Sequence, residues 1–113
     1  MSIRLGYVIV FVADMNQAVA FYRDTLGLPL KFQSPEWSEF ATGETTLALH
    51  PASPRNPAGK AQLGFNVPDL QAFYREMTAK GLQFTQVPTP EAGSLLAQFV
   101  DAQGTEYSVS QQR

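Results

Sequence analysis

The chain has 113 residues, 44% of them hydrophobic, which is enough for one compact domain but not for a second independent one. Its formal net charge is -2 and its eight Lys and Arg residues are scattered, which argues against a nucleic-acid partner. No apolar run approaches the roughly 18 residues of a membrane span, so we expect a cytoplasmic protein with no membrane partner. The absence of cysteine excludes disulfides, thiolate nucleophiles and cysteine-based metal sites.

The chain begins with a predicted strand and a predicted helix. Residues 3–12 are almost continuously apolar and rich in Val and Ile, which indicates a strand buried on both faces. Asp14 can cap the helix that follows, and Gly27 can supply the left-handed residue that ends it. The side chains at helical spacing that we expect on the buried face are Met15, Ala18, Val19, Tyr22 and Leu26.

Three short strands complete the first half of the chain. They are predicted near residues 30–34, 37–42 and 45–50, with a tight turn at Gly43 between the last two. Residues 51–60 contain three prolines and a glycine, which is typical of a linker. The first module is therefore predicted to span residues 1–50 in the order βαβββ.

The second half repeats this order. A strand at residues 61–67 precedes a helix that Asp69 can cap and Gly81 can end. Strands follow near residues 83–87, 95–100 and 105–110, with Gly104 in the last hairpin turn. Residues 12–15 match 67–70, whereas residues 27–28 match 81–82, so the first helix is one residue longer. The second module is predicted to span residues 61–113, within a single domain of residues 1–113.

Neither module has enough elements to close a hydrophobic core by itself. Each has four short strands and one helix, so two copies are expected to pair. The predicted fold is of the α+β class, with two tandem βαβββ modules that form a paired, curved, mixed β-sheet. We expect the helices on the outside and a cavity between the two sheet faces that the helices leave open.

Two stretches of the sequence carry a family resemblance. The first is V-x-D-x-x-x-x-x-x-F-Y-x-x-x-L-G-L at Val12–Leu28, and the second is the D-x-x-G turn at residues 101–104 with the alternating strand after it. Together they resemble the vicinal oxygen chelate superfamily of glyoxalase I, extradiol dioxygenases, fosfomycin resistance enzymes and bleomycin resistance proteins. The resemblance covers almost the whole chain. It implies this fold and commonly a homodimer, and it leaves the function to be argued from the site.

The resemblance also implies where a metal would bind. In metal-dependent members, four ligands of the types His, Glu and Gln arise at points that here fall on Tyr7, Ala48, Gln62 and Ser108. Only Gln62 is of a type that the family uses, so we expect no metal and no other cofactor. One alternative is a displaced metal site formed by His50 with Glu106 or Glu39; the other is that His50 is simply a rim residue.

Strand alternation predicts which side chains face the cavity, because residues two apart point to the same side. The aromatic Trp37 either lines the cavity together with Glu39, a pair suited to a cationic planar ligand, or fills the sheet or a dimer contact. Polar side chains on this face are expected to need water or a ligand as partner. The predicted ligand-binding residues are Tyr7, Ile9, Phe11, Trp37, Ala48, His50, Gln62, Asn66, Glu106 and Ser108.

Three functional hypotheses follow. The first is a metal-free protein that binds a small aromatic or drug-like molecule, similar to bleomycin resistance proteins. The second is an enzyme similar to glyoxalase or the dioxygenases, with a displaced metal or with Glu106 as catalytic base, since burial can raise the pKa of a carboxyl group. The third is a non-catalytic partner subunit.

Overall fold

The computed structural model describes residues 2–91 and 93–112. The first half contains four strands, one α-helix and a π-helical segment. These are β1 (Arg4–Val12), α1 (Met15–Ala20), the π-helical segment Phe21–Thr25, β2 (Leu30–Phe32), β3 (Ser38–Ala41) and β4 (Thr46–Pro51). The second half contains β5 (Ala61–Val67), α2 (Leu70–Ala79), β6 (Gln83–Glu91), β7 (Ser94–Val100) and β8 (Glu106–Gln111).

The α+β class and the two βαβββ modules predicted from the sequence are confirmed. The described residues form two compact units: Gly6–Gln62, called here the first module, and the remaining described residues, called the second module. Residues 52–60 contain no helix or strand. The module bounds 1–50 and 61–113 stay a prediction. Within the described residues, no helix has both the length and the apolar character needed to cross a membrane.

Each module has a mixed sheet with the same strand pattern. In the first, the order is β2-β3-β4-β1, with β1 parallel to β4 and the other pairs antiparallel. In the second, the order is β5-β8-β7-β6, with β5 parallel to β8 and the other pairs antiparallel. The sequence repeat therefore corresponds to a repeat of strand pairing, in which the first and last strands of each module lie side by side.

The first helix changes geometry in its second half. The Asp14 side chain accepts a hydrogen bond from the backbone N–H of Gln17 at 3.0 Å, as expected of an N-cap. From Phe21 onward the hydrogen bonds widen, and the N–H of Leu26 donates to the Phe21 carbonyl at 3.1 Å. The added residue of the first helix lies in this π-helical segment.

The widened turn explains one wrong prediction. Leu26 was placed on the buried face of the helix by α-helical spacing, yet it is 55% exposed. A π-helical turn advances each residue by a smaller angle than an α-helical turn, so residues after Phe21 leave the buried stripe. Val19, before the change, is fully buried against Phe40 and Leu49 under the helix.

The second helix packs on an aromatic core. Asp69 caps it by accepting from the N–H of Ala72 at 3.0 Å. Leu70 and Phe73 on the helix pack with residues of β5, β7 and β8 in one buried cluster. Phe73 makes an edge contact with Phe84 at 6.2 Å between ring centroids. Burial of such aromatic side chains contributes much of the stability of this module.

The last hairpin turn is organised by Asp101. Its Oδ1 accepts from the backbone N–H groups of Gln103 and Thr105, each at 2.9 Å, and its Oδ2 accepts from the Tyr107 hydroxyl at 3.2 Å. The hydrogen bond from Thr105 is the main cause that holds the pKa of Asp101 below its ordinary value. Burial, followed by the contact with Asp101, raises the pKa of Tyr107. Gly104 has a φ of 84°, a left-handed conformation that favours glycine.

Strand β6 is longer than the predicted residues 83–87. It continues to Glu91 and includes Pro88 and Pro90. β6 is the last strand of the second module's sheet order, with β7 as its neighbour. A proline without an N–H is tolerated in an edge strand, where one side of the backbone does not join the ladder.

Candidate functional site

The first module has a sheet face that α1 does not cover. Val10 and Val12 of β1 pack under the helix. The alternate residues Ile9 and Phe11 form a separate buried cluster with Ala48. This division follows the alternation expected of a strand. Tyr7, Trp37 and Ala52 pack against the second cluster.

Four rings on this face contact one another, and we call Tyr7, Phe11, Trp37 and His50 the aromatic cluster. Trp37 lies edge-on to Tyr7, with centroids 5.9 Å apart and planes at 68°. It also lies edge-on to His50, at 6.2 Å and 80°. His50 in turn contacts Phe11 at 5.4 Å and 63°. The separations and angles are those that aromatic pairs favour.

The orientation of Trp37 is held by polar contacts. Its indole N–H donates to Glu39 Oε2 at 2.7 Å, and Lys31 Nζ lies 3.8 Å from Glu39 Oε1. Ser34 Oγ accepts from the backbone N–H of Trp37 at 3.0 Å and donates to its carbonyl at 2.8 Å. Trp37 and Glu39 thus share a face, as strand alternation predicts.

The opposite face of β3 is core. Ser38 and Phe40 are both fully buried, and Phe40 packs with Val19 and Leu49 under α1. The Ser38 hydroxyl donates to the Met15 thioether sulfur at 3.3 Å. Because this side is occupied by packed side chains, Trp37 and Glu39 take the side away from the helix.

The second module presents polar side chains on the face that α2 does not cover. Gly64 pairs with Ser108 and Asn66 with Ser110 in the parallel register of β5 and β8. The Ser110 hydroxyl donates to Asn66 Oδ1 at 2.8 Å. Glu106 accepts from the Thr85 hydroxyl at 2.9 Å.

These contacts correct one expectation from the sequence. Polar side chains such as Asn66, Gln62 and Ser108 were expected to need water or a ligand as partner. Among the described residues, no buried side-chain nitrogen or oxygen atom lacks a hydrogen-bond partner. Asn66 Oδ1, which accepts from Ser110, therefore carries no argument for a ligand.

The residues at the family's metal positions do not fit a metal. Ala48 is fully buried and has no donor atom, and Gln62 is 6% exposed. Tyr7 is engaged in the aromatic cluster, and a neutral serine such as Ser108 is a poor ligand for a dication. This donor set cannot supply about three good ligands.

The displaced metal site considered as an alternative would need His50 to meet one or two carboxylates. In residues 2–91 and 93–112, no three His, Asp or Glu side chains come together as a metal site would require. Glu39 is hydrogen-bonded to Trp37, Glu106 is hydrogen-bonded to Thr85, and His50 packs on Phe11.

Two clefts are lined by none of the predicted binding residues. One, of about 310 Å³, is in the first module beside Asp14, Gln33 and Ser34. The other, of about 350 Å³, is in the second module and is lined by apolar side chains that include Phe65 and Met77. Neither contains a predicted binding residue, and the cavity expected between the two modules stays a prediction.

Lys31 and Ser34 are part of the site and were missed by the sequence analysis. For both residues, the local sequence indicated their position in the site. Lys31 alternates with Leu30 in β2, and Leu30 packs in the core under α1, so Lys31 belongs to the other face. Ser34 lies three residues before Trp37, at a turn position where serine often bonds nearby backbone.

The chain belongs to the Glyoxalase/Bleomycin resistance protein/Dioxygenase superfamily, whose family model matches residues 4–107. The uncharacterised protein YetH of Bacillus subtilis is 26% identical, and the match covers 92% of this chain and 94% of YetH. This membership confirms the resemblance seen in the sequence.

Solved structures of other proteins share this fold. A hypothetical protein from Bacillus halodurans superposes with a TM-score of 0.81 at 19% identity, over 100% of this chain and 96% of that one. Methylmalonyl-CoA epimerase from Mycobacterium tuberculosis superposes with a TM-score of 0.77 at 22% identity, over 96% and 87% of the two chains. At these identities the likeness concerns the fold alone.

Proposed function

We propose that this protein binds a small, planar aromatic molecule without a metal, with the aromatic cluster of the first module as its recognition surface. The observation that carries the proposal is the fixed position of Trp37, which donates to Glu39 and lies edge-on to Tyr7 and His50. An edge-to-face contact covers one face of one ring, so such a cluster retains ring faces on which a flat ligand can stack.

The charges beside Trp37 favour a neutral ligand. The sequence suggested a cation, because an aromatic ring next to a carboxylate attracts positive charge. Glu39, however, already accepts from the indole N–H and lies 3.8 Å from Lys31 Nζ. A cationic ligand would compete with both contacts. We therefore propose a neutral aromatic ligand.

A second candidate function is an enzyme with Glu106 as catalytic base. The Thr85 hydroxyl donates to Glu106 at 2.9 Å, which orients a half-buried carboxylate on the face of the second module away from α2. Solvent deuterium exchange at a carbon of a bound ligand, lost in Glu106→Gln, would favour this candidate. Binding of the same ligand without exchange would favour the binding protein.

The cellular setting forms part of the proposal. We propose a cytoplasmic homodimer, as the family resemblance and the composition suggest. Light scattering of the purified protein at two concentrations tests the dimer. A monomer mass at both concentrations would contradict it.

Fluorescence of Trp37, the one tryptophan of the sequence, tests the proposed function directly. We would titrate the protein with planar antibiotics, thiol conjugates and catechols, and we expect saturable changes in emission with neutral aromatic compounds. Tyr7→Leu should weaken binding several-fold. Phe21→Leu is the matched control, because Phe21 is 48% exposed and lies in the helical segment. If no compound changes the emission, the proposal loses its support.

A further inference from the structure

His50 has a defined tautomer. Its Nδ1 lies 2.8 Å from the carbonyl oxygen of Pro51. A carbonyl oxygen can only accept a hydrogen bond, so Nδ1 must carry the hydrogen. A neutral imidazole has one N–H, and Nε2 therefore carries a lone pair and acts as an acceptor.

The ring of His50 is held in place on two sides. It lies edge-on to Phe11, its register partner across β1 and β4, and edge-on to Trp37. The Pro51 contact adds a third restraint. His50 is nonetheless exposed, so a molecule stacked on Trp37 can reach it from solvent. The lone pair thus belongs to a ring whose centroid lies 6.2 Å from that of Trp37.

Glu39 and Ser34, near Trp37, are engaged in hydrogen bonds within the module. Glu39 Oε2 accepts from the indole, and Glu39 Oε1 lies near Lys31. Ser34 exchanges hydrogen bonds with the backbone of Trp37. Within the described part of the chain, the hydrogen bond of His50 is the one made by Nδ1. His50 Nε2 offers an acceptor to a ligand that brings a donor to this surface.

We propose that His50 Nε2 selects aromatic ligands that carry an O–H or N–H group, and phenols in particular. This inference rests on the proposed function, since it assigns the ligand class of the same site. The stacked ring would contact Trp37 while its hydroxyl donates to Nε2. An aromatic molecule of equal size without a donor would stack but leave this acceptor without a partner in the complex.

A matched pair of ligands tests the selection. 2-Naphthol and 2-methoxynaphthalene share a ring system, but only the first has a donor. We expect the wild-type protein to bind 2-naphthol about five-fold more tightly in equilibrium dialysis, the effect of one hydrogen bond. His50→Phe should lower the affinity for 2-naphthol more than that for 2-methoxynaphthalene, so that the preference disappears. His50→Gln, with an amide oxygen, should restore part of it.

The outcomes distinguish the proposed binding function from the proposed role of His50. If neither compound binds the wild-type protein, the proposed function itself fails. If both bind equally well, or if His50→Phe keeps the preference, a binding site exists and the role of His50 is overturned.

A second measurement needs no mutation. His50 is the one histidine of the sequence, so its ring nitrogens can be observed by ¹⁵N NMR without assignment. We expect a protonated Nδ1 and an unprotonated Nε2, whose resonance moves on addition of 2-naphthol and stays in place with 2-methoxynaphthalene. A neutral ring protonated at Nε2 would overturn the proposal.

Discussion

Trp37 donates its indole N–H to Glu39, two residues further along the chain, with 2.7 Å between Nε1 and Oε2. Both side chains lie on the sheet face that α1 does not cover. Lys31 approaches the other oxygen of Glu39 from β2. The central ring of the aromatic cluster is thus oriented by a carboxylate whose charge is partly balanced within the same module.

Removal of this carboxylate should loosen Trp37. In Glu39→Ala the indole N–H loses its acceptor, and we expect the free energy of unfolding to fall by about 1.5 to 3 kcal/mol, the usual effect of a lost hydrogen bond to a charged group. The emission of Trp37 should shift to longer wavelength and become easier to quench with acrylamide. Glu44→Ala is the matched control, because Glu44 is exposed. Unchanged emission in folded Glu39→Ala would contradict the assigned role.

The π-helical segment predicts an unusual tolerance to deletion. Deletion of Asp24, an exposed residue within Phe21–Thr25, should convert the segment to an α-helical turn and cost about 1 kcal/mol or less. The buried residue Val19 precedes the change and keeps its position. Chemical denaturation measures the difference from the wild-type protein.

The matched deletion is Glu76 in α2. It would turn Met77 away from the core of the second module by about 100°, and we expect a loss of about 3 kcal/mol. Equal losses for the two deletions would mean that the extra residue of the first helix is not absorbed by the widened turn.

The turn at Asp101 predicts a pH dependence. Its pKa is lowered from the ordinary value of 3.8, so the ionised form is favoured in the folded state. This stabilisation is present above the unfolded-state pKa and is lost as the pH falls through the lower, folded-state value. Asp101→Asn should lower the melting temperature at neutral pH, and the difference from the wild-type protein should shrink below about pH 4.

Thermal melts across this range provide the measurement. Glu44→Gln, a charge change at an exposed position, should show no such trend. A difference between Asp101→Asn and the wild-type protein that widens on acidification would have the wrong sign and would refute the assignment.

Because the residues at the family's metal positions are poor metal ligands, we expect chelators to have no effect on this protein. Because Ala48 offers no donor atom, we expect elemental analysis to find well below one equivalent of Zn, Ni, Fe or Mn per chain. EDTA should leave the melting temperature unchanged. Stoichiometric metal that disappears in His50→Ala would reverse this prediction.

Much of the fold could be predicted because its signals are local. Asp14 and Asp69 act as the predicted caps, and the glycines after both helices have positive φ values of 74° and 94°. These local signals failed where the tertiary environment determines whether a residue is buried or belongs to a strand. Leu26 leaves the buried face because the helix widens before it, and Pro88 is accepted because β6 is an edge strand.

The site was less predictable than the fold. Alternation placed Trp37 and Glu39 on one face, but it could not say that Glu39 would bond the indole rather than remain available to a ligand. The prediction that Asn66 needs water or a ligand as its partner was wrong, because Ser110, distant in sequence, donates a hydrogen bond to it. Such pairings depend on strand register, which brings together residues that no local pattern connects.

By itself, the sequence determined the element order, the duplication and the family, since caps, periodicity and residue type are properties of short segments. Only the tertiary structure decided the contacts of His50. Its ring meets Phe11 and Trp37 because parallel pairing of β1 with β4 and antiparallel pairing of β3 with β4 bring three separate segments to one face. Register across strands is set by the packing of the whole module. It therefore determines which side chains contact His50, and composition alone does not.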